Sequence, residues 1–307
     1  LDLTLESGYN EDIYLSWVAE KNNDWNLMLK RIKKDKNFEP VCLKSGNVRR
    51  PAMAIKENGA IEIAGVEFID GDYRIFNMQY EKGQKQNESF IISGKLTSCN
   101  RPDIINYLGK TLVVWDAFNN GSYDIYTKSK TNKGWSEIKK ITSGERQDTY
   151  PRLKSDGKQK IYLVWDNNNI NKKAFGYHLK GSKRLQEIAE QGVEQGGYGY
   201  RTERKIGFLI YEDETWKSIS SNNQNLYVPI DRHIPDDMNI EWCDKPEGIH
   251  PNIALDSENK PWLFYLAFNH KVRQESWELG RWDIYGKKLS GKNWLPAVKI
   301  GGGRGGN

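Results

Sequence analysis

The chain has 307 residues, with 46 basic and 41 acidic side chains and a formal charge of +5. That surplus is too small for a nucleic-acid binder, and a mean hydropathy of −0.78 with no run of about 20 apolar residues excludes a bilayer-spanning helix. Cys42, Cys99 and Cys243 show no CxxC or Cys/His spacing, which leaves neither a disulfide framework nor a zinc site to expect.

Taken in order, the predicted elements are short strands that fall into six units. Unit one, Leu1–Gly46, offers "IYLSW", "WNLMLKRI" and "FEPVCL", and unit two, Asn47–Cys99, offers "AIEIAGVEF", "YRIFNMQY" and "SFIIS". Asn100–Gly144 and Glu145–Gly192 make the two plainest copies, units three and four. Val193–Asp231 diverges, with "IGFLIY", "TWKSIS" and "NLYVPI", and the sixth unit runs from Gly248 with "PWLFYLAF", "RWDIYGKKL" and "NWLPAVKI". Helical periodicity is confined to "SKRLQEIAEQ".

These units share a period of about 50 residues. Arg50-Pro51, Arg101-Pro102, Tyr150-Pro151 and His250-Pro251 lie on one grid, the last pair two periods after the third. Thirteen or fourteen residues past Pro102 and Pro151 comes a strand ending in Trp, at Trp115 and Trp165, with a counterpart at Trp17. Then follows "YDIY" at Tyr123–Tyr126 or "WDIY" at Trp282–Tyr285, and a Trp-led closing strand in "GWSEIKKITSG" or "NWLPAVKIGG". A four-stranded unit of this length cannot bury both faces alone, so copies stack around an axis as a β-propeller. The expected fold is all-β, a single propeller domain over residues 1–300 with a flexible glycine-rich tail at 301–307. Six four-stranded blades match the length, with five or seven as the neighbouring counts.

The proline-led first strand, "IYLVW" second strand, "DIY" third strand and Trp before the fourth resemble the sialidase-like (BNR-repeat) propellers, over most of the chain. The family's Asp-box, S-x-D-x-G-x-x-W, is not intact; "SDGKQKIYLVW" at Ser155–Trp165 keeps its serine, acid and glycine in altered spacing. The resemblance implies a propeller of that superfamily, and the broken motif puts sialidase activity itself in doubt.

In such a fold the loops entering each first strand and those joining second to third strands share one end. The residues before the prolines, Arg50, Arg101, Tyr150 and His250, with Tyr200-Arg201 taken as their equivalent in unit five, would collect there. Guanidinium forks suit carboxylate or sulfate, and tyrosines offer stacking surface and a hydroxyl to sugar rings. The simpler reading of any one arginine is a salt bridge to a neighbouring sheet. Second-to-third loops would add Asp116, Asn119, Asp166, Asn167, Glu212 and Asp213, with turn capping as the plain account of the repeated Trp-Asp.

Two insertions break the grid. Asp231–His250 holds Arg232, His233 and Trp242, and Asn269–Arg281 holds His270, Arg273 and Trp277. Long connections in compact folds are commonly functional, so these are expected to wall a ligand site. Of four histidines only His178 falls in a predicted strand, where packing explains it. Histidine is the natural base near neutral pH.

The functional expectation is a propeller that recognises or processes an oligo- or polysaccharide, anionic by the arginines, as a glycoside hydrolase or polysaccharide lyase. A non-catalytic lectin or protein-interaction module is the alternative. His250, His233 and Tyr200 are the candidate acid/base groups, with Arg50, Arg101, Tyr150, Arg201, Arg232, Trp242, His270, Arg273 and Trp277 binding substrate. No cofactor is expected; acid- and Asn-rich loops suit a structural calcium, although none has EF-hand spacing. No nucleic-acid partner is expected, and oligomeric state is left open. The expected setting is extracellular or at the cell surface, with any leader peptide ahead of Leu1 out of view.

Overall fold

The structure, a computed structural model, describes residues 3–8, 12–21, 24–34, 36–81, 88–170, 201–219, 226–230, 249–269 and 281–302. Among them every regular element is a strand, and five antiparallel sheets follow one another along the chain. Sheet one contains β1 (Leu3–Ser7), β2 (Ile13–Lys21), β3 (Asp24–Lys33), β4 (Lys36–Asn37) and β5 (Val41–Lys44). Sheet two contains β6 (Val48–Ile55), β7 (Ile61–Ile69), β8 (Asp72–Tyr80) and β9 (Ser89–Ile91). Sheet three contains β10 (Thr97–Tyr107), β11 (Lys110–Asn119), β12 (Ser122–Thr131), β13 (Gly134–Trp135) and β14 (Lys139–Lys140). Sheet four has β15 (Gln147–Ser155), β16 (Ile161–Ile170), β17 (Arg201–Glu212), β18 (Thr215–Lys217) and β19 (Tyr227–Val228). Sheet five has β20 (Ile249–Leu255), β21 (Pro261–Asn269), β22 (Arg281–Ser290), β23 (Asn293–Trp294) and β24 (Val298–Gly302).

Strand order follows sequence order in each sheet, and the fourth position is shared by two short segments in all but sheet two. Such an up-and-down meander is the topology of a propeller blade. The expected division into six units is corrected at one place. "IGFLIY" is part of β17, the third strand of sheet four, rather than the second strand of a separate fifth unit. Units four and five are therefore one sheet interrupted by residues 171–200, which lie outside the described residues together with His178.

The repeated residues are those the blade geometry needs. Trp115 is wholly buried and stacks on its cross-strand partner Tyr126, centroids 6.3 Å apart; Tyr265 does the same with Tyr285 at 6.0 Å. The aspartate of each "DIY", Asp124 or Asp283, is fully buried and takes a lysine from the closing strand, Lys140 or Lys299, at 2.7 Å. Removal of that lysine would strand a carboxylate in the core.

The chain divides into two compact units, Leu1–Ser143 with Gly157–Ile161, and Gly144–Asp156 with Tyr162–Asn307. In the first, Leu27 and Leu29 of sheet one pack on Met53, Ile63 and Met78 of sheet two. The other face of sheet two, through Ala64, Val66 and Ile75, packs on Val113, Trp115 and Ala117 of sheet three. Tyr162, Val164 and Phe208 pack on Leu263, Tyr265 and Leu289 within the second unit. Alternating side chains thus bury both faces of sheet two, which is why its adjacent residues Ile63 and Ala64 are both fully enclosed. No described helix is long and apolar enough to cross a membrane. Cys42 is an exposed free thiol; Cys99 is buried and burial pushes it up to about 12, far above its ordinary range. Cys243 lies outside the described residues.

Candidate functional site

The four residues before the repeated prolines do occupy equivalent places, but inside first strands rather than in loops. In sheet two the ladder pairs Arg49 with Val66 and then Ala52 with Ala64, so Arg50 and Pro51 together oppose Gly65. In sheet three Arg101 and Pro102 oppose Trp115, and in sheet five His250 and Pro251 oppose Tyr265. Each is a β-bulge, two residues against one, and proline fits it because no ladder donor is required there.

These four share a backbone conformation that turn residues such as Asp70 and Asn120 also adopt. Arg50, Arg101, Tyr150 and His250 have φ of 49°, 43°, 58° and 52°, the left-handed region. For a residue with a Cβ this costs about 1–2 kcal/mol. None of the four is the glycine that would remove the cost. The conformation recurs at the matching first-strand position of sheets two to five, on Arg, Arg, Tyr and His.

In the first unit Arg50 Nη1 donates to Asn100 Oδ1 at 2.6 Å, tying sheet two to sheet three. The same oxygen accepts the Arg101 backbone N–H at 3.1 Å, so one amide holds both bulges. Arg101 Nη1 lies 3.3 Å from Asp116 Oδ2, an ion pair whose carboxylate is wholly buried. Tyr123 stands near this group: burial and then Asp116 raise its pKa, while Arg101 and Arg50 oppose them. Arg101 thus forms a salt bridge within its own sheet rather than to the neighbouring sheet expected, and Asn100 and Tyr123 join the group unforeseen. "CNRP" showed the amide beside the arginine but gave no sign that it spans two sheets.

In the second unit the rings of Tyr150 and His250 meet edge to face, centroids 4.6 Å apart at 67°. The His250 backbone N–H donates to both oxygens of Asp166, at 3.0 and 3.2 Å, and Asp166 is buried. Behind them Asp148 Oδ1 accepts from Trp165 Nε1 at 2.8 Å and from Asn167 Nδ2 at 2.6 Å. Arg146 Nε completes the chain on Asn167 Oδ1 at 2.5 Å. The histidine backbone is thus fixed by a buried carboxylate while its ring is exposed.

Several expected positions move. Asp116, Asn119, Asp166 and Asn167 belong to strands β11 and β16, not to loops, and Asp116 and Asp166 hold bulge residues rather than cap turns. Glu212 and Asp213 sit between third and fourth strands, at the opposite end of sheet four from Tyr150, because β17 is a third strand. Arg201 opens β17 instead of leading a first strand. Tyr200, Arg232, His233, Trp242, His270, Arg273 and Trp277 fall outside the described residues. Among the described residues no three His, Cys, Asp or Glu side chains gather as a metal site.

No family model and no curated protein matches the chain. Among the solved structures that share its fold, two illustrate the likeness. One is a protein of unknown function from Dyadobacter fermentans, at 11% identity over 98% of this chain and 93% of that one, TM-score 0.51. The other is an ulvan lyase of polysaccharide lyase family PL25, at 14% identity over 96% of this chain and 70% of that one, TM-score 0.54. At these identities the likeness is one of fold.

Proposed function

We propose that the chain is a β-propeller that binds a polysaccharide at the end where its first strands begin, and that it cleaves an anionic one by β-elimination. The observation that carries this reading is the set of four left-handed, non-glycine residues at equivalent first-strand positions, two of which, Tyr150 and His250, touch. Sequential blade-like sheets, the fold shared with an ulvan lyase and a net charge of +5 support it. The five sheets favour five blades over six.

In this reading His250 removes the C5 proton of a uronate whose carboxylate is neutralised by arginine. The C5–H pair forms the C4–C5 double bond, the C4–O bond breaks, and the Tyr150 hydroxyl gives its proton to the departing oxygen. His233 and Tyr200 remain further candidates for those proton transfers. Substrate contacts from Arg201, Arg232, Trp242, His270, Arg273 and Trp277 belong to the same proposal. An extracellular or cell-surface setting fits a polymeric substrate.

The test is a panel of uronate-containing and neutral polysaccharides, followed by ultraviolet absorbance of the unsaturated product and by affinity electrophoresis. Absorbance should rise with a uronate polymer, and Tyr150→Phe should cut that rate by about 100-fold or more, the usual worth of a general acid. Retardation of the protein without any absorbance change would favour a lectin instead. No retardation and no product with any polymer would sink the carbohydrate reading.

A further inference from the structure

A second feature of the first unit lies at the far end of sheets one and two from the bulges. Tyr14 and Arg31 are cross-strand partners one step from the end of the β2–β3 ladder opposite the Lys21–Asp24 pair, and Tyr80 is the last residue of β8. Together with Phe38 they line a cleft of about 160 Å³. Leu29 and Val41 complete its apolar wall, and Glu39 stands at the rim, exposed. The volume is close to the roughly 150 Å³ that accommodates a single six-membered ring.

The polar groups decide what kind of ring. Arg31 Nη2 is bonded to Asp12 Oδ2 at 2.5 Å, with the aspartate side chain 5% exposed, so the guanidinium charge is already balanced. Arg31 Nε and Asp12 Oδ1 are sealed from solvent and present nothing to the cleft, and the guanidinium carbon lies 4.9 Å over the Phe38 ring centre. A lined cleft with no net positive charge and a carboxylate at its rim favours a hydroxyl over a carboxylate. Hydroxyls accept from Arg31 and donate to Glu39, whereas an anion would meet Asp12 and Glu39 with no uncompensated cation. Burial raises the Tyr14 pKa, which keeps its hydroxyl a neutral donor and acceptor.

We propose that this cleft binds one neutral pyranose unit, its C–H face on the aromatic walls and its hydroxyls on Arg31, Tyr14, Tyr80 and Glu39. It is a saccharide subsite separate from the bulges and does not depend on β-elimination.

Binding of the methyl glycosides of glucose, galactose and xylose, of methyl glucuronoside and of phenol is measured by saturation-transfer NMR and calorimetry. At least one neutral glycoside should bind at roughly millimolar affinity or better. Phe38→Ala at a half-buried position and Glu39→Gln at an exposed one should each weaken it by about tenfold with circular dichroism unchanged. Tyr150→Phe should leave it unaltered, which separates this site from the bulges. Failure of every neutral glycoside to bind overturns the proposal, as does indifference to both cleft substitutions. Equal or tighter binding of the glucuronoside, or of phenol over all the glycosides, overturns it too.

Discussion

Gly207→Ala is expected to destabilise the protein by about 3 kcal/mol, the upper range for overpacking, although it adds a single methyl group. Gly207 lies in β17 against the indole of Trp165, and a Cβ there would come within 2.0 Å of the ring. The ring has nowhere to go: Trp165 is 1% exposed and its Nε1 is held by Asp148. Trp165→Leu opens the space at its own cost of a few kcal/mol, about that of a large-to-small core change. The double variant should then be more stable than the sum of the two changes implies, by at least about 1 kcal/mol. Urea unfolding of the four proteins measures this, and strict additivity would show that the indole does not cover the glycine.

The second large effect is at Arg101. Arg101→Ala takes the guanidinium from a carboxylate, Asp116, that is fully buried, and should cost about 3–5 kcal/mol. Arg101→Leu with Asp116→Asn removes both charges and should recover most of that loss, because the penalty lies in the stranded carboxylate more than in the missing pair. Thermal unfolding of the single and double variants distinguishes this from an arginine that only serves ligand. If Arg101→Ala unfolds like the unmodified protein, the ion pair carries no structural weight. One consequence is practical: loss of glycan binding in Arg101→Ala alone would not assign Arg101 to a ligand site.

Much of the blade was legible because the repeated residues are forced by geometry. A proline recurs where a ladder donor is absent, a large aromatic where two strands cross the core, and an aspartate where a lysine closes the sheet. Sheet four was misdivided because residues 171–200 separate its second and third strands, and "IGFLIY" carries the apolar run of either. Gly207 was the available clue: a glycine inside a strand marks close approach, as Gly65 does beneath Phe76, where a Cβ would come within 2.6 Å of the ring. The left-handed bulges left no trace of their own, since a bulge signals itself by glycine and here the residue is Arg, Tyr or His. Contacts such as Arg50 with Asn100 and Tyr150 with His250 join sheets about one or two repeats apart, and local pattern holds no record of such partners.

In the proposed reading the His250 side chain serves ligand rather than the fold, and His250→Gly separates the two most directly. Glycine keeps the backbone N–H on Asp166 and relieves the left-handed cost, roughly offsetting its own greater freedom when unfolded. The account predicts an unfolding free energy within about 1 kcal/mol of the unmodified protein, together with loss of polysaccharide binding or cleavage. A variant that unfolds far more easily yet still binds and cleaves would contradict it.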